Sequence, residues 1–331
     1  MATMRMRMSS RVVITGAAGF IGRNVVAELN ARGVDDLLLV DNLGSDEKWR
    51  NLVGLRYEEI LDSQQFMAHV EADVLPGIDA VIHLGACSAT TEPDAGFLLR
   101  NNYQYTRALC EWSLRHGARF IYASSAATYG DGSIGYDDDP AVLQQLEPLN
   151  MYGYSKHMFD LWAQRHGLFD RIAGLKYFNV YGPNEDHKED MRSVVHKSYE
   201  QIKSTGIVRL FKSYRPEYAD GEQLRDFIFV KDAVAMTLYF IENRTTSGLF
   251  NCGTGQARSW KALATAVFAA MDIPPSIEYV EMPESLRGKY QYFTQAQMAR
   301  MRAAGYSAPF TPLEDGVKEY VTGYLALRKN A

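Results

Sequence analysis

The chain has 331 residues, of which 47% are hydrophobic, and its 40 acidic and 35 basic side chains give a formal net charge of −5. This length and hydrophobic content supply a core for one large α/β unit or for a domain with a smaller partner. The acidic balance excludes nucleic acid and an anionic membrane surface as the main partner, although a few local Arg and Lys residues suffice to hold phosphates.

The first ten residues, MATMRMRMSS, are partly basic and run directly into a strand pattern. They lack the apolar stretch and small-residue cleavage site of a signal peptide, and no window of the chain reaches the ~18 apolar residues that span a bilayer. Cys87, Cys110 and Cys252 are far apart, odd in number and outside any metal-ligand spacing. This predicts reduced thiols, with no disulfide and no metal site. We expect a cytoplasmic protein without a membrane partner.

The first half of the chain alternates between short apolar runs and longer amphipathic stretches. Continuous β-branched or Leu-rich runs separated by helices indicate a parallel sheet that is covered on both faces. Right-handed crossovers then give a doubly wound, Rossmann-type α/β fold whose ligand crevice lies at the carboxyl ends of the strands. The predicted strands are Val12–Thr15, Leu37–Asp41, Ala80–Gly85, Phe120–Ser124 and Leu175–Asn179, and the predicted helices are Phe20–Arg32, Phe97–His116 and Tyr152–His166.

After about residue 180 the pattern changes to charged and aromatic segments, broken by the apolar runs Phe227–Val230 and Leu249–Cys252. Helix patterns follow at Trp260–Met271 and near Glu319–Leu327. We interpret this part as a smaller C-terminal substrate-binding domain, interleaved with strands that return to the main sheet. The predicted dinucleotide-binding domain covers residues 10–178, with 226–250 returning to it, and the substrate-binding domain covers 179–225 and 251–331.

A glycine-rich turn joins the first predicted strand to the first predicted helix, with Gly16, Gly19 and Gly22 in a GxxGxxG spacing. Glycines there allow a tight turn and let backbone N–H groups approach a pyrophosphate, while the helix adds its positive dipole end. Asp41 closes the second strand 19 residues past Gly22, where a carboxylate would meet the adenosine ribose. This context favours a dinucleotide site over an ordinary strand–helix turn.

The same region bears on the choice between NAD and NADP. Asp41 by itself favours NAD, because a carboxylate repels a 2′-phosphate. Asn42 and Lys48 follow closely, however, and a lysine on that loop can neutralise a phosphate. The residues alone therefore leave both cofactors open.

Tyr152 and Lys156 form the second candidate site, because they stand four residues apart in a helix pattern and so project from one face. A nearby ammonium stabilises a phenolate, which predicts a lowered pKa for Tyr152 and suits it to general acid–base work. Tyr199 and Lys203 have the same spacing but lie outside the strand–helix core, so we interpret them as a solvated helical pair. Ser125 ends the fourth strand, where it can hydrogen-bond a substrate oxygen opposite Tyr152; a turn or helix cap is the alternative.

With these motifs the chain resembles the extended short-chain dehydrogenase/reductase family of nucleotide-sugar epimerases and dehydratases. The matching motifs are TGxxGxxG at Thr15–Gly22, YxxxK at Tyr152–Lys156, and Arg225-Asp226-Phe227 leading into Val230-Lys231-Asp232-Ala233. The resemblance runs from residue 11 to about residue 325. Dehydratases of the family carry an Asp-Glu pair where this chain has Ala126 and Ala127. The resemblance therefore implies an epimerase, which needs only reversible hydride removal.

Several short segments are similar to one branch of this family, the ADP-heptose 6-epimerases. They are Val40–Leu43, Gly85–Ser88 with Thr90–Glu92, Asn101–Tyr105, Tyr177–Pro183, His187-Lys188 and Gly288–Gln291. The similarity implies inversion at C6 of an ADP-linked heptose with a tightly bound NADP, serving assembly of the lipopolysaccharide core. It also implies a homo-oligomer, for example a pentamer.

The same similarity implies roles for individual residues. Tyr152 serves one orientation of the substrate carbonyl as acid–base and Lys188 serves the other, with Lys156 and Ser125 completing the catalytic set. Ser63 stands where the family can offer a second lysine beyond Lys48, which keeps NAD open beside NADP. The implied cofactor-binding residues are Gly16, Gly19, Phe20, Ile21, Gly22, Asp41, Asn42, Lys48, Leu84, Gly85, Ala86, Cys87, Ser88, Asn101, Lys156 and Val180. The implied substrate-binding residues are Ser125, Asn179, Lys197, Phe211, Arg225 and Tyr290.

Alternatives stay open at three points. A UDP- or dTDP-hexose 4-epimerase would use the same hydride chemistry, and a non-catalytic NAD(P)-sensing regulator would keep the fold without turnover. Lys188 is also compatible with a phosphate-facing or solvent-exposed lysine. The loop Ser213–Gln223 is either a lid over the nucleotide or a solvated surface loop.

Overall fold

The computed structural model describes residues 11–288 and 290–328. The predicted domain ends at residues 10 and 331 lie outside the described residues, as does Lys289 of the Gly288–Gln291 segment. No helix within the described ranges is both long and apolar enough to cross a membrane.

The strands of the described chain form one large sheet and two small ones. The large sheet has seven parallel strands in the order β10-β6-β5-β4-β1-β2-β3, and the small sheets have the orders β11-β9-β7 and β12-β8. The strands are β1 (Arg11–Thr15), β2 (Leu37–Val40), β3 (Glu59–Leu61), β4 (Ile78–His83), β5 (Arg119–Ser125), β6 (Ala173–Tyr177), β7 (Asn179–Tyr181), β8 (Val208–Phe211), β9 (Leu224–Phe229), β10 (Gly248–Cys252), β11 (Ala257–Ser259) and β12 (Ile277–Val280).

Helices cover both faces of the large sheet, so its strands are apolar throughout. Val12 and Ile14 of β1 pack in the core on one face and Val13 packs in the core on the other, and all three side chains are fully buried. The α-helices are α1 (Phe20–Ala31), α2 (Ser63–Glu71), α3 (Ala95–Leu98), α4 (Tyr105–Arg115), α5 (Met151–Arg165), α6 (Val194–Thr205), α7 (Val230–Glu242), α8 (Trp260–Ala270), α9 (Glu284–Arg287), α10 (Ala299–Ala303) and α11 (Leu313–Tyr320). The predicted doubly wound α/β class is confirmed.

Several predicted elements have different limits in the structure. The predicted helix Phe97–His116 is a continuous helical run of α3, a π-helical turn at Leu99–Gln104, and α4. The predicted strand Leu175–Asn179 divides at Phe178, whose backbone N–H donates to the carbonyl of Cys252. The sequence analysis predicts neither β3 nor α2. Strand β3 is only three residues long and gives no clear periodicity.

The two later apolar runs belong to different sheets. Strand β10 joins the edge of the large sheet beside β6, as expected for a strand that returns to it. Strand β9 instead pairs with β7 and β11 in a separate sheet, and Val230 already begins α7. The division into a dinucleotide-binding and a substrate-binding domain stays a prediction.

Candidate active site

Close backbone packing holds the glycine-rich turn between β1 and α1. Gly16 has φ +70°, and a Cβ there would lie 2.7 Å from the backbone N of Gly85, just past β4. A Cβ on Gly22 would collide with the carbonyl oxygen of Gly16. A Cβ on Gly19 would meet only that carbonyl group, with the oxygen 3.0 Å away, so its other side is open. Two glycines therefore serve the fold, and Gly19 leaves room for a ligand.

The N-terminus of α1 lies at this open side. The first backbone N–H groups of a helix have no helical partner, and Gly19, which precedes α1, has no side chain to cap them. Uncapped N–H groups and the positive end of the helix dipole together bind phosphate. The geometry fits the pyrophosphate site that the glycine spacing predicts.

Asp41 is committed to holding the turn. One carboxylate oxygen accepts the backbone N–H of Ala18 at 2.8 Å, and the other accepts the Lys48 ammonium at 2.5 Å. The neighbouring Asn42 side chain accepts both the backbone N–H and the hydroxyl of Ser63. Asp41 is 8% exposed, so its charge is both buried and paired. The structure shows that Asp41 anchors the turn and Lys48, and its expected contact with the adenosine ribose stays a prediction.

A cavity of about 210 Å³, cavity A, lies between this pair and the helical run after β4. It brings together eight of the predicted cofactor-binding residues. Tyr105 also lines it, and its buried hydroxyl has no hydrogen-bond partner among the described residues. The backbone of Gly16 and Gly85 and the free Tyr105 hydroxyl suit this cavity to a bound dinucleotide. The lining is Thr15, Gly16, Val40, Asp41, Asn42, Lys48, Ser63, Gly85, Ala86, Cys87, Phe97, Asn101 and Tyr105.

Two larger cavities continue from the turn and meet at a shared wall. Cavity B runs along the turn to Leu84, Ser88 and Lys156. Cavity C lies beyond it and is lined in part by Ser125, Asn179 and Val180. The residues common to both are Phe20, Ile21, Ser88, Tyr152, Tyr177, Lys188 and Met191. The two predicted acid–base residues, Tyr152 and Lys188, therefore stand at the junction of the two spaces.

Tyr152 and Lys156 project from the first turns of α5, which Asn150 caps through the backbone N–H of Gly153. Burial raises the pKa of Tyr152, and a hydrogen bond with Ser125 acts in the opposite direction. Burial lowers the pKa of Lys156 to about 8. The predicted lowering of the Tyr152 pKa by Lys156 is thus wrong for this structure, because burial outweighs the effect of neighbouring groups.

A fully buried ion pair supports α5 from behind. Asp160, one turn beyond Lys156, accepts the Lys176 ammonium at 3.0 Å and the Tyr122 and Ser124 hydroxyls at 2.7 Å. Neither charged side chain is exposed to solvent. The carboxylate of Asp160 also acts to raise the pKa of Lys156. Sequence reasoning missed this pair; its signal was a lysine inside the apolar strand β6.

Lys188 lies in the segment Asp186–Met191, which consists of two short 3₁₀ turns with a kink at Glu189 (φ +46°) and borders the shared wall. Its ammonium lies 5.1 Å from the centre of the Phe20 ring. Burial lowers the pKa of Lys188, the Glu185 carboxylate acts to raise it, and Lys197 adds to the lowering. Lys188 is thus a partly buried amine and not a fully solvated one.

Contacts from distant elements fix this loop. Glu185 is fully buried and accepts the backbone N–H of Ser193 at 2.7 Å and the Tyr320 hydroxyl at 3.0 Å. On the other side, His187 Nδ1 lies 3.0 Å from the side-chain nitrogen of Asn51. Asn51 also donates to the carbonyl of Ala18 in the glycine turn. The loop therefore joins the glycine turn to the C-terminal end of α11.

Four of the six predicted substrate-binding residues form two groups. Ser125 and Asn179 line cavity C, together with Trp260. Arg225 is 6% exposed, and its guanidinium lies 5.0 Å from the Tyr290 ring and 5.5 Å from the Trp260 ring. Trp260 donates to the Tyr290 hydroxyl at 2.8 Å. This stacked group, which the sequence did not reveal, lies behind the cavity wall at Trp260.

Three other predicted residues lie at the margins. Val180, assigned to the cofactor, lines cavity C and not cavity B. Lys197 donates to the carbonyl of Asp190 at 2.5 Å on the Lys188 loop. Phe211 ends β8, outside the lining of all three cavities.

The loop Ser213–Gln223 is docked on a neighbouring segment. The Arg215 guanidinium lies 4.7 Å from the Tyr292 ring, and the backbone N–H of Tyr214 donates to the Tyr292 hydroxyl. The backbone N–H of Ser213 donates to the Asp220 carboxylate at 2.7 Å, which closes the loop. None of its described residues lines cavities A, B or C. A role as a lid stays a prediction.

Comparison with known proteins decides the family. Residues 12–253 match the NAD dependent epimerase/dehydratase family. The chain belongs to this family. The predicted resemblance to nucleotide-sugar epimerases is confirmed, and the family description supports a nicotinamide cofactor.

Individual relatives are similar along nearly their whole length. The chain is 58% identical over 315 residues to the ADP-L-glycero-D-manno-heptose-6-epimerase of Nitratidesulfovibrio vulgaris strain DP4, covering 95% of this chain and 98% of that one. It is 46% identical over 325 residues to the protein of the same name from Fusobacterium nucleatum, with coverage of 95% and 98%. A crystal structure of the Helicobacter pylori ADP-L-glycero-D-manno-heptose-6-epimerase superimposes with a TM-score of 0.82 at 27% identity, covering 99% of this chain and all of that one.

Proposed function

We propose that the protein is an ADP-L-glycero-D-manno-heptose 6-epimerase, which interconverts the D-glycero and L-glycero forms by transient oxidation at C6. The observation that carries this proposal is the junction of cavities B and C, where Tyr152 and Lys188 line the same wall. Two relatives with that name, 58% and 46% identical to this chain, match it over nearly their full length.

The stereochemistry explains why two proton-transferring groups are useful. A carbon with an unactivated C–H is inverted by becoming a ketone for a time and then accepting hydride on its other face. A bound nicotinamide supplies the acceptor for that hydride and returns it. After the carbonyl has turned, its oxygen faces a different part of the wall and needs a different proton donor.

The side chains at the junction supply both proton transfers. Tyr152 takes the hydroxyl proton in one orientation, with Ser125 hydrogen-bonded beside it. Lys188 serves the opposite orientation from the loop across the wall. Lys156 places a second ammonium in cavity B behind Tyr152. In this scheme Tyr152, Lys188 and Lys156 move or hold protons, while Ser125 and the rest of the wall orient the sugar.

The cavity also argues against water elimination. Ala126 and Ala127 line cavity C where dehydratases of the family carry an Asp-Glu pair. Two methyl groups offer neither an acid nor a base for removing water. Reversible hydride transfer is the chemistry that remains at this wall.

We assign NADP to the cofactor site. Both Asp41 oxygens are occupied, by Ala18 and Lys48, so the carboxylate is less able to repel a 2′-phosphate or to bind a ribose hydroxyl. Lys48 and Ser63 supply donors around Asn42 at the same edge of cavity A. Mass spectrometry of the copurified nucleotide tests this, and NAD as the bound species would contradict it.

The decisive experiment is a substrate screen of the purified protein. We expect ADP-D-glycero-D-manno-heptose to be converted to a mixture of both epimers, followed by NMR, while UDP-galactose is left unchanged. Conversion of UDP-galactose alone would instead identify a hexose 4-epimerase. Bound cofactor without any turnover would identify a non-catalytic sensor.

The route is tested by running the reaction in heavy water. Direct hydride transfer leaves C6 without deuterium, because the hydrogen never exchanges with solvent. Deuterium at C6 would indicate enolisation and would contradict the oxidation scheme. The proposal places the enzyme in the cytoplasm as a homo-oligomer, for example a pentamer, in lipopolysaccharide core synthesis.

A further inference from the structure

Tyr105 carries a buried hydroxyl that the structure leaves without a partner. It begins α4, directly after the π-helical turn that bears Asn101, and both side chains line cavity A. Its oxygen is inaccessible to solvent and accepts or donates no hydrogen bond among the described residues. A buried polar atom in this condition costs free energy unless a ligand or water satisfies it.

The ring of Tyr105 is held in place. It stacks on His83 with centroids 5.6 Å apart and an angle of 20° between the ring planes. His83 is itself fixed between the Thr15 and Thr106 hydroxyls, at 2.7 Å and 2.8 Å. The Tyr105 hydroxyl therefore remains at one position on the cavity wall.

The charges around Tyr105 indicate what kind of acceptor fits. Burial raises its pKa, and the Asp41 charge raises it further, so the group remains a neutral donor. Tyr105 makes no hydrogen bond to Asp41, whose carboxylate oxygens accept instead from the backbone N–H of Ala18 and the Lys48 ammonium. A phosphate placed beside Tyr105 would still be repelled by Asp41, although the ion pair with Lys48 weakens that repulsion. An uncharged oxygen or nitrogen acceptor meets no such repulsion.

We propose that Tyr105 is a further cofactor-binding residue, whose hydroxyl donates to an uncharged atom of the adenosine half that NAD and NADP share. This inference rests on the dinucleotide site and not on the identity of the sugar substrate. Lys48 and Ser63, at the partly exposed edge of cavity A, remain the residues for a 2′-phosphate. Tyr105 then determines affinity for either dinucleotide, and the Lys48 edge determines the choice between them.

The test is Tyr105→Phe, which removes the hydroxyl and keeps the ring stack. Cofactor is stripped from the purified protein, and NADP and NAD are titrated back by calorimetry. We expect both dissociation constants to rise about tenfold, equivalent to about 1.4 kcal/mol. Tyr103→Phe is the matched control, because Tyr103 lines a separate surface depression with Trp162 and should bind as the parent does.

Each other outcome overturns the proposal. Unchanged affinity for both dinucleotides would show that the hydroxyl does not contact the cofactor. Weaker binding of NADP alone would place the hydroxyl at the 2′-phosphate and contradict an uncharged acceptor. A thermal melt of the stripped variant checks that its fold is intact. Since binding is read without sugar, failure of the ADP-heptose assay leaves this test unaffected.

Discussion

The ammonium of Lys188 lies 5.1 Å from the centre of the Phe20 ring, so the loop with one candidate proton donor rests on the first residue of α1. The same helix terminus forms the pyrophosphate side of the predicted cofactor site. One residue thus borders both the dinucleotide turn and the wall at which a sugar would react. Because Lys188 contacts this helix, a variant of Lys188 must be tested for cofactor binding as well as for turnover.

Replacing Lys188 by Met removes the amine and retains most of the side chain's length. We expect epimerisation to slow by about 10²–10⁴-fold, the range for loss of a general acid–base group, while cofactor is retained. Turnover is measured by NMR and bound nucleotide by mass spectrometry. Lys318→Met, on the exposed side of α11, is the control and should be unaffected. Near-normal turnover of Lys188→Met would rule out the two-donor scheme.

Tyr152→Phe removes the other candidate hydroxyl. A loss of about 10²–10⁴-fold in turnover is again expected, because no phenol remains to exchange the proton in that orientation. Tyr154→Phe is a matched control on the same helix, since Tyr154 is 47% exposed and points away from the cavities. Equal rates for the two variants would show that Tyr152 is not a proton-transfer group.

The pH dependence of turnover should report Lys156. Burial lowers its pKa to about 8, so the side chain is an ammonium below this pH and a neutral amine above it. If the ammonium is the working form, turnover falls as pH rises from 7 to 9. Lys156→Arg keeps its charge through this interval. Its slower turnover should therefore show no such fall, and an identical fall in both proteins would assign the titration to another group.

The buried pair behind α5 should dominate the response of stability to mutation. Asp160→Asn leaves the Lys176 ammonium buried without its counter-charge, which typically costs about 3–5 kcal/mol. Replacing both residues, Asp160→Asn with Lys176→Met, removes the unpaired charge and should recover most of that loss. Urea unfolding measures the three free energies. A double variant no more stable than Asp160→Asn would show that the hydroxyls of Tyr122 and Ser124 matter more than the charge.

Local patterns were sufficient for the parts of the site that lie close together in sequence. Gly16, Gly19 and Gly22 are constrained within one turn, and Tyr152 and Lys156 are placed by one helix. Helix and strand periods place such groups without knowledge of the rest of the chain. The residues brought to cavities A and B are largely those that the motifs indicated.

Contacts between distant segments could not be predicted in this way. Glu185 and Tyr320 are 135 residues apart, and the sequence says nothing of their hydrogen bond. The pairing of Asp41 with Lys48 depends on how the loop after β2 folds back, so helix and strand patterns did not reveal it. The pKa of Tyr152 depends on burial by the whole surrounding fold, which helical spacing does not contain.

The hydrogen bond between Glu185 and Tyr320 means that the two ends of the site depend on parts of the chain that are far apart in sequence. Every residue that lines cavity A lies between positions 15 and 105, in the first third of the chain. The loop at Lys188 is anchored by Tyr320 and by the hydrogen bond from Tyr324 to Asp186, and both tyrosines are synthesised after all of cavity A. All residues of the proposed adenosine end are therefore synthesised before the residues that anchor the wall facing the sugar. A chain that stops before α11 would keep the residues of cavity A but lose the hydrogen bonds that anchor the Lys188 loop.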